Sequence, residues 1–245
     1  PEQVKELRAL GVELIFGSHP DDLLDTSFNY LIKNPGIAID HKYVLRAKEL
    51  GIEVINEVEM TYRLLPKDVT LVGITGTNGK TTTTTLTYLI LKEAFQDRVH
   101  LTGNIGYPFC SCLDKLKKDD IIVMEVSCQQ GENIKTFKPH IGVFTNISEA
   151  HIDFMKTFEH YKEVKSRMFY NQNADDIAII NIENNEVVDT LSKIKSKTKY
   201  FSSVNEINGC YLKDGYIYYY QEKVIPISHI KIPGKHNLEN CMGAI

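Results

Sequence analysis

The stretch Val69-Thr70-Leu71-Val72-Gly73-Ile74-Thr75-Gly76-Thr77-Asn78-Gly79-Lys80-Thr81-Thr82 decides the fold. An apolar run leads into a short glycine-bearing loop, and a Lys-Thr pair then opens a threonine-rich helix. Phosphate binding needs that order. The strand end fixes the loop, Gly76 and Gly79 let backbone N–H groups approach phosphate oxygens, and the helix N-terminus adds favourable partial charge. Lys80 then reaches the β- and γ-phosphates, and the Thr81 hydroxyl can ligate Mg²⁺. The spacing is not the common one: in G-x-x-x-x-G-K-[ST] the first Gly would fall on Ile74. A plain strand–turn–helix with Gly at the bend is the alternative reading.

Downstream, strands are expected over Val69–Ile74, Val99–Thr102, Asp120–Val126, Ile141–Thr145, Ile177–Asn181 and Lys199–Ser202. Helices are expected over Lys80–Ala94, Phe158–Gln172 and Asn185–Ile194. Tyr211–Tyr218 reads as a hairpin, because Asp214-Gly215 supports a tight type I′ turn. Tyr216 and Tyr218–Tyr220 look like a ligand platform, but at alternating spacing cross-strand packing is the simpler account. Upstream, Val4, Leu7 and Leu10 suggest a helix running into a strand, Val12–Phe16. A strand Tyr30–Lys33, an Asn34-Pro35-Gly36 turn, a helix His41–Leu50 stopped by Gly51, a strand Ile52–Ile55 and a helix Glu57–Leu65 follow. Repeated β-α units imply an α/β fold with a mostly parallel sheet and a small antiparallel element near the C-terminus. Pro66-Lys67-Asp68 is the expected boundary, which gives domains over 1–67 and 68–245.

The 245 residues carry a net charge of -4, which argues against a general nucleic-acid or membrane surface. No apolar run approaches the roughly 18 residues of a membrane span, and Pro1–Lys5 shows no signal-peptide pattern. Five cysteines without paired zinc spacing read as reduced thiols, so a cytoplasmic protein is expected, and a monomer. Both ends read as cut, one at Pro1 and the other inside a helix at Gly243-Ala244-Ile245.

Several residues outside the loop carry chemistry. The strand Ile121–Met124 ends at Glu125, and open α/β sheets bind ligands at strand C-termini. If that strand neighbours the phosphate-loop strand, Glu125 can hold Mg²⁺ against the phosphates. Ile141–Phe144 delivers Thr145-Asn146-Ile147-Ser148-Glu149-Ala150-His151, so His151 can face the same cleft. Magnesium prefers oxygen ligands, and on chemistry alone His151 reads as a hydrogen-bonding histidine. Lys165, alone on its helix, reads as a solvated charge. Asn237 and Asn240 lie three apart at a helix start, where both amides can face one ligand or simply cap the helix.

Taken together and in this order, these elements resemble the Mur ligase family, ATP-dependent enzymes that form amide bonds in peptidoglycan precursors. The matching motifs are Gly-Thr-Asn-Gly-Lys-Thr-Thr (76–82), Gly-Asn-Ile-Gly (103–106), Met-Glu-Val-Ser (124–127), Thr-Asn-Ile-x-x-x-His-x-Asp (145–153), Lys165 and Gly-x-His-Asn-x-x-Asn (234–240). Lys33-Asn34-Pro35-Gly36-Ile37 and Glu57-Val58-Glu59 are similar to the N-terminal domain of the D-glutamate-adding member. The resemblance implies a partial Rossmann-like N-terminal domain for the UDP-substrate, followed by a P-loop-type central ATPase domain. It implies that Gly76, Thr77, Asn78, Gly79, Lys80, Thr81 and Thr82 bind ATP, with Asn237 and Asn240 near the adenine. Thr81, Glu125 and His151 become metal ligands in a site for two Mg²⁺ ions. Lys165 becomes a lysine carbamylated by CO₂, catalytic with Lys80 and His151. Asn34, Gly36, Asn104, Ser127 and Gln130 become substrate contacts, and the substrates are UDP-N-acetylmuramoyl-L-alanine and D-glutamate.

The sequence departs from that pattern at Cys128-Gln129-Gln130-Gly131, where Ser-Phe-Gln-Leu is the more usual run. On the same reading the family's first strand would precede Pro1 and its amino-acid-binding domain would follow Ile245, so the chain alone is expected not to ligate. A sister ligase adding another amino acid, a folylpolyglutamate synthase-like enzyme, a P-loop kinase and a nucleotide-binding module are the alternatives.

Overall fold

The computed structural model describes residues 2–245, which divide into two compact units. Among the described residues the smaller comprises 2–31 and Ile39–Val54, and the larger comprises Ile32–Ala38 and Ile55–Ile245. Helix α1 (Glu2–Ala9) opens the chain, and strands β1 (Tyr30–Ile32) and β2 (Glu53–Ile55) form a two-stranded sheet. Between them lies α2 (Lys42–Glu49), whose N-terminus is capped by the His41 side chain and which gives way at Gly51, φ 73°. Val44 and Ala47 of this helix pack with Leu24, Ile52 and Val54 as the small unit's core.

No strand forms over Val12–Phe16. Val12 is 43% and Phe16 65% exposed, and no neighbouring strand satisfies their backbone groups.

In the larger unit α3 (Glu57–Leu64) is followed by β3 (Thr70–Thr75), α4 (Lys80–Phe95), β4 (Val99–Gly103), β5 (Ile121–Glu125) and α5 (Cys128–Gly131). Then come β6 (Ile141–Phe144), α6 (Ile152–Met155), α7 (Phe158–Tyr170), β7 (Ile177–Asn181), α8 (Asn185–Val188) and β8 (Lys197–Ser202). Strands β9 (Cys210–Lys213), β10 (Tyr216–Tyr219) and β11 (Glu222–Pro226) precede α9 (Lys235–Ala244). Nine strands form one sheet in the order β11-β10-β9-β8-β7-β6-β3-β5-β4, parallel from β4 across to β9, with β10 antiparallel to both its neighbours. The expected architecture is therefore present: α/β, a mostly parallel sheet and an antiparallel corner.

The middle strands read as continuous apolar runs because both faces are covered. Leu71, Ile122, Met124 and Phe144 point into one core cluster with Phe137 and Phe169, while Val72, Ile74, Val123 and Val143 point into another. Phe144 and Phe169 stack with ring centroids 4.8 Å apart. At the corner Asp214 (φ 49°) and Gly215 (φ 75°) both take the left-handed conformation a type I′ turn requires. Tyr211 and Tyr218 are directly paired across the hairpin and stacked, so this tyrosine pair is packing.

By compactness α3 falls in the larger unit. The Glu59 carboxylate, fully buried, accepts hydrogen bonds from the backbone N–H groups of Lys135, Thr136 and Phe137 and from Arg63 Nε. Asn56 caps α3 by accepting from Glu59 N and donates its amide to the Gln130 carbonyl. The helix expected over Asn185–Ile194 stops at Val188 and continues as a 3₁₀ segment, Asp189–Lys193.

Candidate active site

Strand β3 ends at Thr75 and the chain turns through Gly76 (φ 153°) and Gly79 (φ 80°) into the sixteen-residue α4. A Cβ on Gly76 would lie 1.9 Å from Thr145 Oγ1, and one on Gly79 would lie 2.0 Å from Asn240 Oδ1. The loop can therefore pass only as glycine at these two places. Its outer wall is the segment after β6. Thr77 N donates to the Asn146 carbonyl (2.8 Å), Asn78 N donates to Asn146 Oδ1 (2.9 Å), and Thr145 Oγ1 donates to the Asn78 carbonyl (2.7 Å). Lys80 Nζ donates to the Thr77 carbonyl at 2.9 Å, lying over the loop.

Strand β5 runs parallel to β3, with Glu125 paired to Ile74, so the conditional placement of Glu125 is met. Its carboxylate is 1% exposed and accepts from Thr81 Oγ1 (2.7 Å) and Asn104 Nδ2 (2.6 Å). Three residues from separate parts of the chain thus converge at one buried anion. Among the described residues no cationic side chain forms an ion pair with it.

Lys165, on α7, is 4% exposed rather than solvated, and its Nζ donates to the Gly76 carbonyl at 2.6 Å. Burial lowers its pKa to about 7, with Lys80 pushing the same way and Cys128 and Glu125 opposing. The amine also lies 4.9 Å from the centroid of the Tyr161 ring, one helical turn earlier. Tyr161 is fully buried, and its hydroxyl shares a 3.0 Å hydrogen bond with Thr77 Oγ1. His151 is exposed, with φ 55°, at the start of α6, and its ring centroid is 6.2 Å from that of Tyr161. No hydrogen bond joins His151 to Glu125.

The remaining expected residues fall in three places. Gly36 N donates to Asn34 Oδ1 (2.9 Å), and the buried Lys33 Nζ holds this turn by donating to the carbonyls of Asn34, Pro35 and Ile37. Ser127 and Gln130 face each other in a capping box at the start of α5, so their polar atoms are engaged locally. Asn237 Oδ1 accepts from Asn240 Nδ2 (3.0 Å), and Asn240 Oδ1 accepts from Thr83 Oγ1 (3.4 Å). Asn240 thus locks α9 onto α4 beside Gly79, as well as lining a cavity of about 330 Å³.

Residues 74–245 match the family model of the Mur ligase middle domain. The chain belongs to the Mur ligase family.

This Mur ligase chain is 44% identical over 99% of its length to a UDP-N-acetylmuramoylalanine--D-glutamate ligase of Enterococcus hirae, of which it covers 53%. It is 42% identical over its whole length to the like-named ligase of Lactococcus lactis, of which it covers 54%. The chain thus spans about half the length of the curated relatives it matches. The fold is that of a UDP-N-acetylmuramoyl-L-alanyl-D-glutamate--2,6-diaminopimelate ligase (TM-score 0.62, 17% identity, 89% of this chain and 58% of that one). It is also that of a MurF ligase from Thermotoga maritima in complex with ADP (TM-score 0.57, 18% identity, 89% and 62%).

The donor set of this Mur ligase middle domain fits a hard divalent cation. Among the described residues the buried Glu125 carboxylate is bonded only to the neutral groups of Thr81 and Asn104, and oxygen donors are what Mg²⁺ selects. Sequence reading missed Asn146, Tyr161 and Glu239 as site residues. Asn146 stood in a quoted motif, and Tyr161 sits at i−4 from Lys165. Glu239 gave no signal, because its partners Asn181 and Ser203 are distant in sequence.

Proposed function

We propose that the protein carrying this chain joins D-glutamate to UDP-N-acetylmuramoyl-L-alanine with hydrolysis of ATP to ADP and phosphate. The buried Thr81–Glu125 pair at the phosphate loop, with Lys165 on the Gly76 carbonyl, is the observation that carries the reading. The like-named relatives at 44% and 42% identity support the choice of D-glutamate.

A carboxylate is a poor electrophile because oxide is a poor leaving group, so it must be activated. In the proposed reaction a substrate carboxylate oxygen attacks the γ-phosphorus, the bond to the β–γ bridging oxygen breaks, and ADP leaves with the electron pair. The D-glutamate amine then adds to the acyl phosphate carbonyl and loses a proton, and phosphate departs from the tetrahedral intermediate. The backbone N–H groups of Gly76–Thr82 and the N-terminus of α4 hold the phosphates in line. Lys80 leaves the Thr77 carbonyl to contact the transferred phosphoryl group. Thr81, Glu125 and His151 would hold Mg²⁺, for which two ions are expected. The metal would supply neutralisation of charge between anionic reactants. Lys165 Nζ, as a neutral amine, would add to the carbon of CO₂ and lose one proton, which leaves a carboxylate-like anion where the amine stood. Asn104, Asn34 and Gly36 contact the nucleotide-sugar, Ser127 and Gln130 shape the floor beneath it, and Asn237 and Asn240 border the adenine. The smaller unit belongs to a UDP-substrate domain. The protein works as a cytoplasmic monomer on soluble substrates; no helix among the described residues is long and apolar enough to cross a membrane.

The test is ADP release by the full-length protein with ATP, Mg²⁺ and UDP-N-acetylmuramoyl-L-alanine, supplied with D-glutamate or other amino acids in turn. D-glutamate alone should drive release. Release driven by another amino acid and not by D-glutamate would sink the assignment.

A further inference from the structure

The cavity of about 330 Å³ beside the phosphate loop has Gly79, Asn146, Phe201, His236, Glu239 and Asn240 in its wall. Its size is that of a small-ligand pocket. The cavity abuts Gly79 of the phosphate loop, so on the reading of that loop as an ATP site it is the space open to the nucleotide's base.

Most polar groups of the wall are already committed. Asn146 Oδ1 accepts from Asn78 N and its Nδ2 donates to the Asn78 carbonyl, and Asn240 is tied to Asn237 and Thr83. Glu239 is different. Asn181 Nδ2 donates to Oε2 (3.3 Å) and Ser203 Oγ donates to Oε1 (2.8 Å). Both donors are neutral, and among the described residues no cationic side chain forms an ion pair with Glu239. An ionised carboxylate offers about four lone-pair sites, so two bonds leave roughly half of them open. Asn181 is itself fixed, 2% exposed, with Nδ2 also donating to the Thr145 carbonyl (2.9 Å) and Oδ1 accepting from Glu183 N (3.0 Å). The carboxylate is therefore held in place by a rigid strand end and is not free to swing away.

We propose that Glu239 is a base-specificity residue, accepting a hydrogen bond from the 6-amino group of adenine and rejecting 6-oxo purines. An ionised carboxylate can only accept. A 6-amino group supplies the donor; a 6-oxo group sets lone pairs against negative charge and leaves both unpaired. The inference rests on the reading of the phosphate loop as an ATP site.

The experiment is calorimetric titration of the full-length protein and of its Glu239→Gln variant with ATP, ITP and purine riboside 5′-triphosphate, with melting curves as the folding control. The parent should bind ATP about 10- to 100-fold tighter than ITP, with the purine nucleotide between them. Glu239→Gln can turn an NH₂ toward O6 and should bring ATP and ITP to within about threefold of each other. Should Glu239→Gln fail to fold, Ser203→Ala loosens the carboxylate alone and should narrow the same ratio. An unchanged ATP-to-ITP ratio in a folded variant overturns the proposal and leaves the ATP reading standing. A full-length protein that binds none of the three nucleotides overturns both.

Discussion

Replacing Lys165 with Met tests the burial of the amine directly. An amine brought from 10.5 to about 7 by desolvation is penalised as an ammonium by about 5 kcal/mol, at ~1.4 kcal/mol for each tenfold in proton affinity. Below pH 7 the ammonium persists in the folded chain and the whole penalty applies. Between pH 7 and 10.5 the folded state binds fewer protons at this site than the unfolded state, so stability rises with pH. The Met variant lacks that titration, although its Gly76 carbonyl loses a donor at a roughly constant cost of about 1–3 kcal/mol. Urea unfolding of both proteins at several pH values should therefore give a difference that moves toward the parent by up to about 5 kcal/mol across this window. Other titrating groups largely cancel in the difference. The same displacement sets the chemistry: near neutral pH a substantial share of Lys165 is neutral, against about 0.1% for an ordinary lysine at pH 7.5. A carbamate carbon signal from ¹³C-bicarbonate should appear in the parent chain and be absent from the variant. Parallel stability profiles for the two proteins would refute the reasoning, since Lys165 would then titrate near its ordinary value.

Glu59→Gln should destabilise the chain by about 3 kcal/mol, because the introduced NH₂ faces N–H donors now accepted by a carboxylate. That corresponds to a melting shift of about 6–12 °C for a chain of this size. Burial raises the Glu59 pKa, but the hydrogen bonds from Thr136, Lys135, Phe137 and Arg63 outweigh it and hold the carboxyl below its usual 4.5. Its contribution is thus complete above about pH 4.5 and lost as pH falls through the lower folded value, so parent and variant should converge in acid. Gly79→Ala forces a left-handed alanine against Asn240 Oδ1 and should weaken ATP binding at least about tenfold, read by calorimetry; undiminished affinity would contradict the close packing of α9 on the loop.

Local chemistry made much of this protein legible in its sequence. The Gly76–Thr82 loop announces itself because glycine, lysine and threonine are each needed at fixed places within one turn of chain. Strands β5, β6 and β7 are apolar runs because both their faces are covered, and Asp214-Gly215 sets its hairpin without outside help. Where only residues near in sequence decide, the reading holds to within a residue or two, as at α4 and α7.

The tertiary structure decided whatever depends on a partner far along the chain. Val12–Phe16 has the letters of a strand and no neighbour to pair with. Helix α3 joins the larger unit because a carboxylate at position 59 meets backbone donors at 135–137. Lys165 looks like a surface charge by itself and becomes a buried amine only when α7 packs against the loop at Gly76. Hydrophobic pattern and turn chemistry are carried by neighbouring residues. Burial, strand order and the pKa values that follow from them belong to the assembled sheet.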